Sequence, residues 1–508
     1  MIKDFYCKEW EKHIPQPICD ALPQYGEFYK KAWQIARDHV KTIDGMPQSP
    51  YMDEAFCATQ VWIWDTCFMT LFCKYASDVF PGIETLNNFY EVLHNGGHLA
   101  RITVPDDEPE WTGNKPGEEA EIKICISDNP PLFAWAEYEN ALFHGDSEYV
   151  KDLLYNRRVL QKHYEWFDDL KEFKRFPGVR ALSQLINCEI GYKWEGGRSG
   201  MDNTPRGRLG EKAEAERPNN PDMLWIDAIC QQTLSAKIIA ELAERVGDNE
   251  LRDEWLARYE EKKQIVNRYY WDEKDRFYYD IDCNTHDFYK VMSIASYWTL
   301  ISGIADEERA SEMVKYLRDS AYFGGDVPLI SLSRSDADYI PDGRYWRGGL
   351  WLPTAYATAK GLDSYGYFTE AREASTKIID HMLKTYNEFE PHTIWECYSP
   401  EYASPAMDAH NAELARPEFC GWSALGPISL YIEYVLGFHK VDAFKNRVEW
   451  ITPDTEGRVG IKNLRFGEVV TDIVAENGVC RVSSNEPYIL CINGKDHEVS
   501  AGENEIRI

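Results

Sequence analysis

The chain has 508 residues, of which 44% are hydrophobic and 28% charged, a composition that excludes fibrous and extensively disordered proteins. Its length predicts a main domain of several hundred residues with an appendage. The 55 Lys and Arg residues face 85 Asp and Glu residues, and the net charge of −30 argues against nucleic acid or a membrane surface as a partner.

Helical periodicity dominates the chain from residue 25 to about 438. In the run 222–247, for example, Leu234, Ile238 and Leu242 recur at helical spacing, while polar residues occupy the other side. The sequence predicts twelve such runs, at 25–44, 62–78, 83–94, 131–144, 147–170, 222–247, 249–271, 289–302, 306–320, 349–362, 366–387 and 420–438.

Short connections such as 144–147 and 247–249 join neighbouring runs as antiparallel hairpins. Six helical hairpins predict an all-α main domain over residues 1–440, folded as a double-layered toroid, the (α/α)6 barrel. Four long loops separate the hairpins, at 95–130, 172–221, 321–348 and 388–419. Long loops inside a compact domain are usually functional, and these carry clusters of Trp, Arg and acidic residues. We expect them to converge at one end of the barrel.

Residues 441–508 show a different pattern. Short alternating β-prone runs lie between Gly, Asn and Asp turns such as Asn493-Gly494. This tail predicts a small β-sandwich domain packed on the barrel.

The N-terminus carries no apolar signal-peptide segment, and Asp65, Pro427 and Glu433 interrupt the longest apolar stretches. We therefore expect a cytoplasmic protein, with a periplasmic location left open in case an export signal has been removed. The 13 cysteines have irregular spacings and no C-x-x-C pair, which favours reduced core thiols over disulfides or structural zinc. No cofactor is expected, and the sequence predicts no oligomeric state.

The segment from Glu195 to Arg206, EGGRSGMDNTPR, is the most informative in the chain. Its three glycines and its Asp-Asn-Thr-Pro run specify a tight, irregular backbone that presents Asp202 at close range to a ligand. An Asx turn without a function is the competing interpretation.

A second acid, Glu396, lies between Trp395 and Tyr398 on another long loop. Apolar rings disfavour the charged form of a carboxyl group, which is how acid and base groups are tuned, although a buried structural glutamate fits the same local pattern. Two acids on separate loops, each among Trp residues, resemble the paired carboxylates of a glycosidase.

Five segments in chain order resemble the motifs of glycoside hydrolase family 63 and its clan. They are Trp62–Phe68 (WIWDTCF), Ser127–Pro131 (SDNPP), Ser199–Arg206 (SGMDNTPR), Tyr345–Thr354 (YWRGGLWLPT), and Glu396–Pro400 (ECYSP) with the later Gly421-Trp422-Ser423. Thr204 stands where the family usually has Ser, Asn129 where it has Gln, and Gly349 where Pro is common. Each motif is weak alone, but five in order are specific, and they cover residues 62 to about 437.

The resemblance implies an exo-acting α-glycosidase that inverts the anomeric centre of a small α-glucoside or α-mannoside, of oligosaccharide, disaccharide or glycosylglycerate type. Asp202 corresponds to the general acid and Glu396 to the general base, which an inverting geometry separates by about 6.5–9.5 Å. In such a site Trp64 walls the sugar pocket and Asp65 bridges sugar hydroxyls. Further substrate-binding candidates are Asn129, Gly200, Asn203, Arg206, Trp346, Arg347, Trp351, Trp395 and Trp422. Core packing is the alternative for each Trp, and a loop-anchoring salt bridge is the alternative for Arg206.

Two further patterns resemble metal sites. His94 and His98 are four residues apart, but the glycines between them break the helix and no third ligand is evident. The acidic stretches 106–111 and 118–121 fit calcium or a cationic ligand, yet they favour a solvated loop that folds over the site. We therefore predict no metal.

Two rival functions stay open. Sugar isomerases and epimerases use the same toroid, but they rely on His for proton transfer at carbon, whereas the matched motifs here supply carboxylates. A non-catalytic carbohydrate-binding protein is the second rival, and it would lack one of the two acids. In all three cases the expected ligand is a carbohydrate.

Overall fold

The protein is described by a computed structural model, which covers residues 3–42, 46–54, 61–91, 99, 102–105, 122–125, 129–171, 185–408 and 413–508. Its α-helices are α1 (Pro23–Asp38), α2 (Ile63–Cys73), α3 (Gly82–Glu91), α4 (Phe133–His144), α5 (Ser147–Lys151), α6 (Val159–Asp169), α7 (Gly196–Ser199), α8 (Ile226–Arg245), α9 (Asn249–Tyr269), α10 (Trp298–Ile301), α11 (Glu307–Arg318), α12 (Leu352–Ser364) and α13 (Phe368–Glu388). A π-helix at Gly426–Val435 follows them. Helices therefore dominate the described chain up to this point.

Six helical segments contact one another in a closed order. α2 packs on α4, α4 on α8, α8 on α10 and α10 on α12, while the π-helix contacts both α12 and α2. α1, α3, α6, α9 and α13 pack against these six inner segments from outside. The two layers differ in composition, because every residue of α2 is buried, whereas α9 buries only Trp255, Tyr259 and Val266.

Capping residues explain where two outer helices begin. The Asp248 carboxylate accepts a hydrogen bond of 2.9 Å from the backbone N–H of Leu251 at the start of α9. Asp306 does the same for Arg309 at the start of α11, at 2.8 Å. Each bond satisfies a donor that the first helical turn leaves open.

A buried ion cluster lies between the inner segments and consists of Lys74, Glu139, Lys360 and Glu433. The Lys74 ammonium is 2.9 Å from a Glu139 oxygen and 3.1 Å from a Glu433 oxygen. Lys360 lies 3.4 Å and 3.3 Å from the same two carboxylates. Tyr356 also donates a hydrogen bond of 2.8 Å to Glu433. Each charge in the cluster therefore has a partner of opposite sign.

The strands fall into several sheets, among them one of five strands within the helical part and two, of five and four strands, in the C-terminal region. They are β1 (Gln16–Cys19), β2 (Val40–Lys41), β3 (Tyr51–Met52), β4 (Val61–Trp62), β5 (Ile102–Pro105), β6 (Ile122–Cys125), β7 (Ile186–Cys188), β8 (Gly191–Lys193), β9 (Met223–Leu224), β10 (Trp271–Asp272), β11 (Phe277–Tyr278), β12 (Asp280–Asp282), β13 (Phe288–Tyr289), β14 (Lys440–Asp442), β15 (Arg447–Trp450), β16 (Val459–Phe466), β17 (Val469–Glu476), β18 (Val479–Ser484), β19 (Tyr488–Ile492), β20 (Lys495–Val499) and β21 (Gly502–Arg507).

The C-terminal region contains two sheets, with strand orders β1-β16-β17-β18-β21 and β14-β15-β19-β20. Alternation along β17 directs Ile473 inward, where it pairs in register with the buried Val482 of β18. β1 pairs antiparallel with β16, with Gln16 opposite Lys462. A strand from the start of the chain thus completes a sheet formed near its end.

Several elements differ from those predicted. The run 420–438 contains a short 3₁₀ turn and the π-helix, and a π turn interrupts the run 147–170. Within 289–302 the helical part is limited to α10 and a 3₁₀ turn, and Tyr289 belongs to β13. The predicted loops 95–130 and 172–221 contain strands. Hydrophobic periodicity does not separate the wider π turn from an α turn, and two- to four-residue strands are too short to show alternation.

Some sequence patterns fall outside the described residues, namely His94, His98 and the acidic stretches 106–111 and 118–121. Within the described ranges, no helix has the length and apolar character needed to cross a membrane. The same part of the chain contains no group of three or more His, Cys, Asp or Glu side chains arranged to hold a metal ion.

Candidate active site

A cavity of about 510 Å³ opens where several inner segments begin, a volume typical of small-molecule sites. It is lined by Trp62, Trp64, Asp65, Asn129, Pro130, Glu195, Gly197, Arg198, Gly200, Asp202, Arg217, Tyr345, Trp346, Trp351, Glu396, Asp408, Arg416, Phe419 and Trp422. Trp64 and Asp65 lie in the first turn of α2, and Trp351 directly precedes α12. Helix N-termini carry partial positive charge, which stabilises acidic groups nearby.

Two glycines shape the loop that carries Asp202. Gly200 has φ of +83°, a left-handed conformation that favours glycine, and a Cβ atom there would lie 3.0 Å from the Trp64 ring. A Cβ atom on Gly196 would lie 2.7 Å from the Asp202 carbonyl oxygen. Both positions therefore need glycine for the loop to close on itself and pack against Trp64.

Asn203 ties the Asp202 loop to the loop that carries Trp346. Its side-chain oxygen accepts a hydrogen bond of 2.9 Å from the Trp346 backbone N–H. Its amide group donates to the Arg344 carbonyl at 3.0 Å and to a Glu216 oxygen at 3.1 Å. Asn203 is fully buried and does not line the cavity, so its contacts are with the protein.

Glu396 lines the same cavity and is only 1% exposed. Its Oε1 accepts hydrogen bonds from the Tyr345 hydroxyl at 2.8 Å and from Arg416 Nη1 at 2.9 Å. Its Oε2 accepts a longer bond of 3.3 Å from the Arg416 backbone N–H. The Trp422 indole N–H donates to the Glu396 carbonyl at 2.6 Å. The side chain and backbone of Glu396 are thus both fixed.

The pKa of Glu396 lies above its ordinary value of 4.5. Burial is the largest cause, because it disfavours the charged carboxylate. The positive charge of Arg416 and the Tyr345 hydrogen bond oppose this effect, whereas the charge of Asp408 adds to it. The donors around Glu396 therefore favour its ionised carboxylate in a site where burial would otherwise favour the neutral acid.

Aromatic rings form much of the cavity wall. Trp346 and Trp351 stack with ring centroids 4.1 Å apart and an angle of 7° between their planes. Trp422 packs on Trp351 at 5.5 Å, and Trp64 packs edge-on against Phe68 at 5.0 Å. Each of these Trp residues both contacts a protein ring and faces the cavity. Core packing and ligand binding are therefore not exclusive alternatives here.

Arg206 lies outside the cavity lining. It is fully buried, pairs with Asp227 at 2.7 Å and Asp280 at 2.6 Å, and covers the Trp225 ring at 4.5 Å. The loop-anchoring salt bridge, rather than a sugar contact, matches this geometry. Two carboxylates each engage its guanidinium in a bidentate manner, which directs its donors away from the cavity.

Two more predicted residues lie behind the wall. Arg347 donates to the carbonyl oxygens of Ala215 and Glu216, at 3.0 Å and 3.1 Å, and so anchors the end of the Asp202 loop. Trp395 packs edge-on against Phe389 at 5.7 Å and is 3% exposed. The remaining candidates, Trp64, Asp65, Asn129, Gly200, Trp346, Trp351 and Trp422, line the cavity with both acids.

Several residues that line the cavity were not predicted from the sequence, above all Tyr345 and Arg416. Tyr345 is the first residue of the motif YWRGGLWLPT, so its position was available as a signal. Arg416 lies in no motif, and its position on the long loop 388–419 is the only sequence feature that indicates a functional residue there. Arg217 was also missed, and its guanidinium lies 3.8 Å from the Asp202 carboxylate.

Known proteins resemble this chain over most of its length. A protein of unknown function from Borreliella burgdorferi is 27% identical over 437 residues, which cover 84% of this chain and 83% of that protein. A probable mannosyl-oligosaccharide glucosidase of Schizosaccharomyces pombe is 22% identical over 433 residues, covering 75% of this chain and 49% of the glucosidase. The chain therefore spans about half the length of that relative.

Solved structures share the fold. The family 63 mannosylglycerate hydrolase from Thermus thermophilus, solved with glucose, aligns with a TM-score of 0.56 at 17% identity, covering 79% of this chain and 99% of that one. Neutral trehalase from Saccharomyces cerevisiae aligns with a TM-score of 0.55 at 16% identity, covering 76% and 74% of the two chains.

A family model provides the most specific match. The model described as the mannosylglycerate hydrolase MGH1-like glycoside hydrolase domain matches residues 59–411, a range that includes both Asp202 and Glu396. This range is well over half of the chain. The chain therefore belongs to the MGH1-like glycoside hydrolases of family 63, which confirms the resemblance predicted from its motifs.

Proposed function

We propose that the protein is an inverting, exo-acting α-glycosidase that hydrolyses a small α-glucoside or α-mannoside. The observation that carries the proposal is the presence of Asp202 and Glu396 in one cavity with aromatic walls. The two acids come from separate loops and have different surroundings. Such a difference is what acid and base roles require of two otherwise similar carboxyl groups.

In this mechanism Asp202 is the general acid and donates its proton to the glycosidic oxygen as the bond to the anomeric carbon breaks. Glu396 is the general base and accepts a proton from the water that attacks the opposite face of that carbon. Because Tyr345 and Arg416 hold Oε1, Oε2 with its longer 3.3 Å contact is the oxygen for this task. General acid and base catalysis each contribute about 10²–10⁴-fold.

The proposed scaffold is an (α/α)6 barrel over residues 1–440 with a β-sandwich at 441–508. The closed contact order of the six inner segments supports the barrel, and the two C-terminal sheets support the sandwich. In this arrangement β1 fastens the sandwich to the start of the barrel chain, because it is hydrogen-bonded along β16.

The leaving group that we favour is a small anionic one such as glycerate. Arg217 lies 3.8 Å from the carboxylate of Asp202, the group that protonates the leaving oxygen, and it is about half exposed at 46%. A guanidinium there offers a bidentate partner for a carboxylate. The family description names mannosylglycerate, whereas relatives are named as glucosidases and trehalases, so the sugar must be tested.

The test is a substrate panel with a matched inactive variant. Nitrophenyl α-glycosides, α-linked disaccharides and glycosylglycerates are incubated with the wild-type protein and with Asp202→Asn as the blank. Proton NMR early in the reaction is expected to show the inverted anomer. A retained anomer would overturn the inverting mechanism, and cleavage of no α-glycoside by folded protein would overturn the activity. Epimerisation of free sugars without cleavage would favour the rival enzyme class.

A further inference from the structure

Tyr345 adopts a backbone conformation that a bulky residue rarely takes. Its φ is +64°, in the left-handed region, and the preceding Arg344 has a φ of +27°. Tyr345 is buried, and its hydroxyl donates the 2.8 Å hydrogen bond to Glu396 Oε1. A left-handed backbone is an outlier for a residue with a large side chain, and it persists only where the surrounding structure holds it. The neighbours of Tyr345 must therefore hold this turn.

One side chain, that of Asn203, binds both peptide groups that flank the Tyr345 Cα atom. Its amide nitrogen donates to the Arg344 carbonyl at 3.0 Å, and its amide oxygen accepts from the Trp346 backbone N–H at 2.9 Å. The φ and ψ angles of Tyr345 set the relative orientation of these two peptide groups. A side chain that binds both groups at once therefore fixes the two angles, and we call this pair of bonds the Asn203 clamp.

The peptide group between Tyr345 and Trp346 is also held from its other edge. The Trp351 indole N–H donates to the Tyr345 carbonyl at 2.9 Å, and the Trp351 ring packs edge-on against the Tyr345 ring at 4.6 Å. Gly349 leaves space for this bond, because a Cβ atom there would collide with the Tyr345 carbonyl oxygen and lie 3.2 Å from Trp351 Nε1. The turn at Tyr345 is thus fixed on both sides.

We propose that Asn203 is a positioning residue, which clamps the Tyr345 backbone so that the Tyr345 hydroxyl reaches Glu396 Oε1 and Oε2 is left for the attacking water. Because Asn203 directly follows Asp202, one side chain links the loop of the acid to a hydrogen-bond donor of the base. An amide suits this place, since Asp lacks the donor and Leu lacks both groups. The positioning role rests on the proposed function, which makes Glu396 the base, whereas the clamp itself does not.

The groups around Glu396 show what the Tyr345 hydroxyl changes. The titratable and charged groups near it are Tyr345, Cys397, Asp408 and Arg416, with Asp202 in the same cavity. Arg416 and the Tyr345 hydrogen bond lower the pKa of Glu396, which burial and Asp408 raise. Burial raises the pKa of the Cys397 thiol well above its usual value, so Cys397 adds no charge. Burial also raises the pKa of Tyr345 well above 10, so its hydroxyl keeps the proton that it donates.

A pH profile tests the clamp through its effect on Glu396. Asn203→Ala removes both bonds to the Tyr345 backbone, so the hydroxyl should leave Glu396 and the pKa of Glu396 should rise. The acid limb of kcat/KM should then shift to higher pH by about half to one unit, as in Tyr345→Phe. In the Tyr345→Phe background, Asn203→Ala should cause no further shift. Equal shifts in the two backgrounds, or no shift in the single variant, overturn the proposal.

Glu216→Ala is the matched control. The exposed Glu216 carboxylate accepts the third hydrogen bond of Asn203, at 3.1 Å, and it lies outside the cavity lining. Its removal leaves the clamp intact, so the acid limb should stay at the wild-type pH. A shift as large as that of Asn203→Ala would show that any disturbance of the Asp202 loop has this effect, and it would overturn the specific role of the clamp.

Crystal structures decide the clamp without reference to activity. In Asn203→Ala, Tyr345 is expected to leave the left-handed region and its hydroxyl to lie more than about 3.5 Å from Glu396 Oε1, whereas Glu216→Ala should retain both features. Asn203→Asp, which loses the bond to Arg344, serves the same purpose if Asn203→Ala does not fold. An unchanged Tyr345 in the folded variant overturns the proposal. If the wild type cleaves no glycoside, the proposed function fails, while these structures still decide the clamp.

Discussion

The ion cluster and the candidate active-site cavity are two groups of charged side chains along the inner segments, and they are built differently. α2 joins them, with Asp65 in its first turn and Lys74 just beyond its end. In the ion cluster two Lys and two Glu side chains neutralise one another at 2.9–3.4 Å. The described lining of the cavity instead has five acids and three Arg residues, and Asp202 remains 24% exposed. Balanced pairing offsets the cost of burying the charges, whereas a surplus of acids in a partly open site is suited to proton transfer.

Neutralising either cavity acid should produce the largest effect. Asp202→Asn and Glu396→Gln are each expected to lower kcat/KM by about 10²–10⁴-fold, because each removes one proton-transfer group. The far-UV circular dichroism spectrum should stay unchanged, since neither change alters the fold. Full activity in either folded variant would show that the cavity acid is not catalytic.

Breaking the ion cluster should lower stability and leave catalysis unchanged, whereas neutralising a cavity acid should lower activity and leave the fold unchanged. Lys74→Met leaves Glu139 and Glu433 buried with one cation between them, and it is expected to reduce the free energy of unfolding by about 3–5 kcal/mol. The kcat of the folded fraction should be unchanged, because Lys74 does not line the cavity. Urea unfolding and single-turnover rates measure the two quantities.

Lys445→Met is the control for this substitution. Lys445 has 64% of its side chain exposed and lies 4.0 Å from its carboxylate partner Asp442, so its replacement should change the free energy of unfolding by less than about 0.5 kcal/mol. Equal destabilisation by the two variants would mean that the ion cluster has no special role in stability.

Arg416 forms an ion pair with Glu396 and lowers the pKa of that carboxyl group, so replacing Arg416 should shift the pH dependence of activity. Arg416→Met deletes the charge that lowers the pKa of Glu396, so this pKa should rise further above 4.5. The base must be ionised, and the acid limb of kcat/KM should therefore shift to higher pH. Tyr345→Phe, which removes one neutral donor, should shift it in the same direction by less. A shift towards lower pH would contradict Glu396 as the base.

Gly200→Ala should produce the smallest effect and test the contact between the Asp202 loop and Trp64. The left-handed backbone is expected to cost about 1–2 kcal/mol with a Cβ atom present, and that atom must also displace the Trp64 ring. KM should rise because Trp64 lines the cavity.

Gly247→Ala is matched to Gly200→Ala in backbone conformation. Its φ is +80°, and a Cβ atom there meets nothing within 4 Å among the described residues. Gly247→Ala should therefore show the loss of stability that a Cβ atom on a left-handed backbone causes by itself, and it should leave KM unchanged. An unchanged KM in Gly200→Ala as well would mean that the position of Trp64 does not affect the substrate.

The sequence by itself was sufficient for features that neighbouring residues specify. Apolar spacing located most helices, and the motif around Asp202 predicted a tight glycine-dependent loop, because backbone conformation depends on adjacent residues. The order of the five motifs was enough to identify the family. It also selected most of the Trp residues that line the cavity.

Only the tertiary structure decided which side chains meet. Arg206 finds Asp280 across 74 residues of sequence, and Tyr345 finds Glu396 across 51, so no local pattern distinguishes an Arg that anchors a loop from one that binds a sugar. The pairing of β1 with β16 has the same origin. Local sequence determines the shape of each segment, whereas a side chain's partner and its pKa depend on what long-range packing brings next to it.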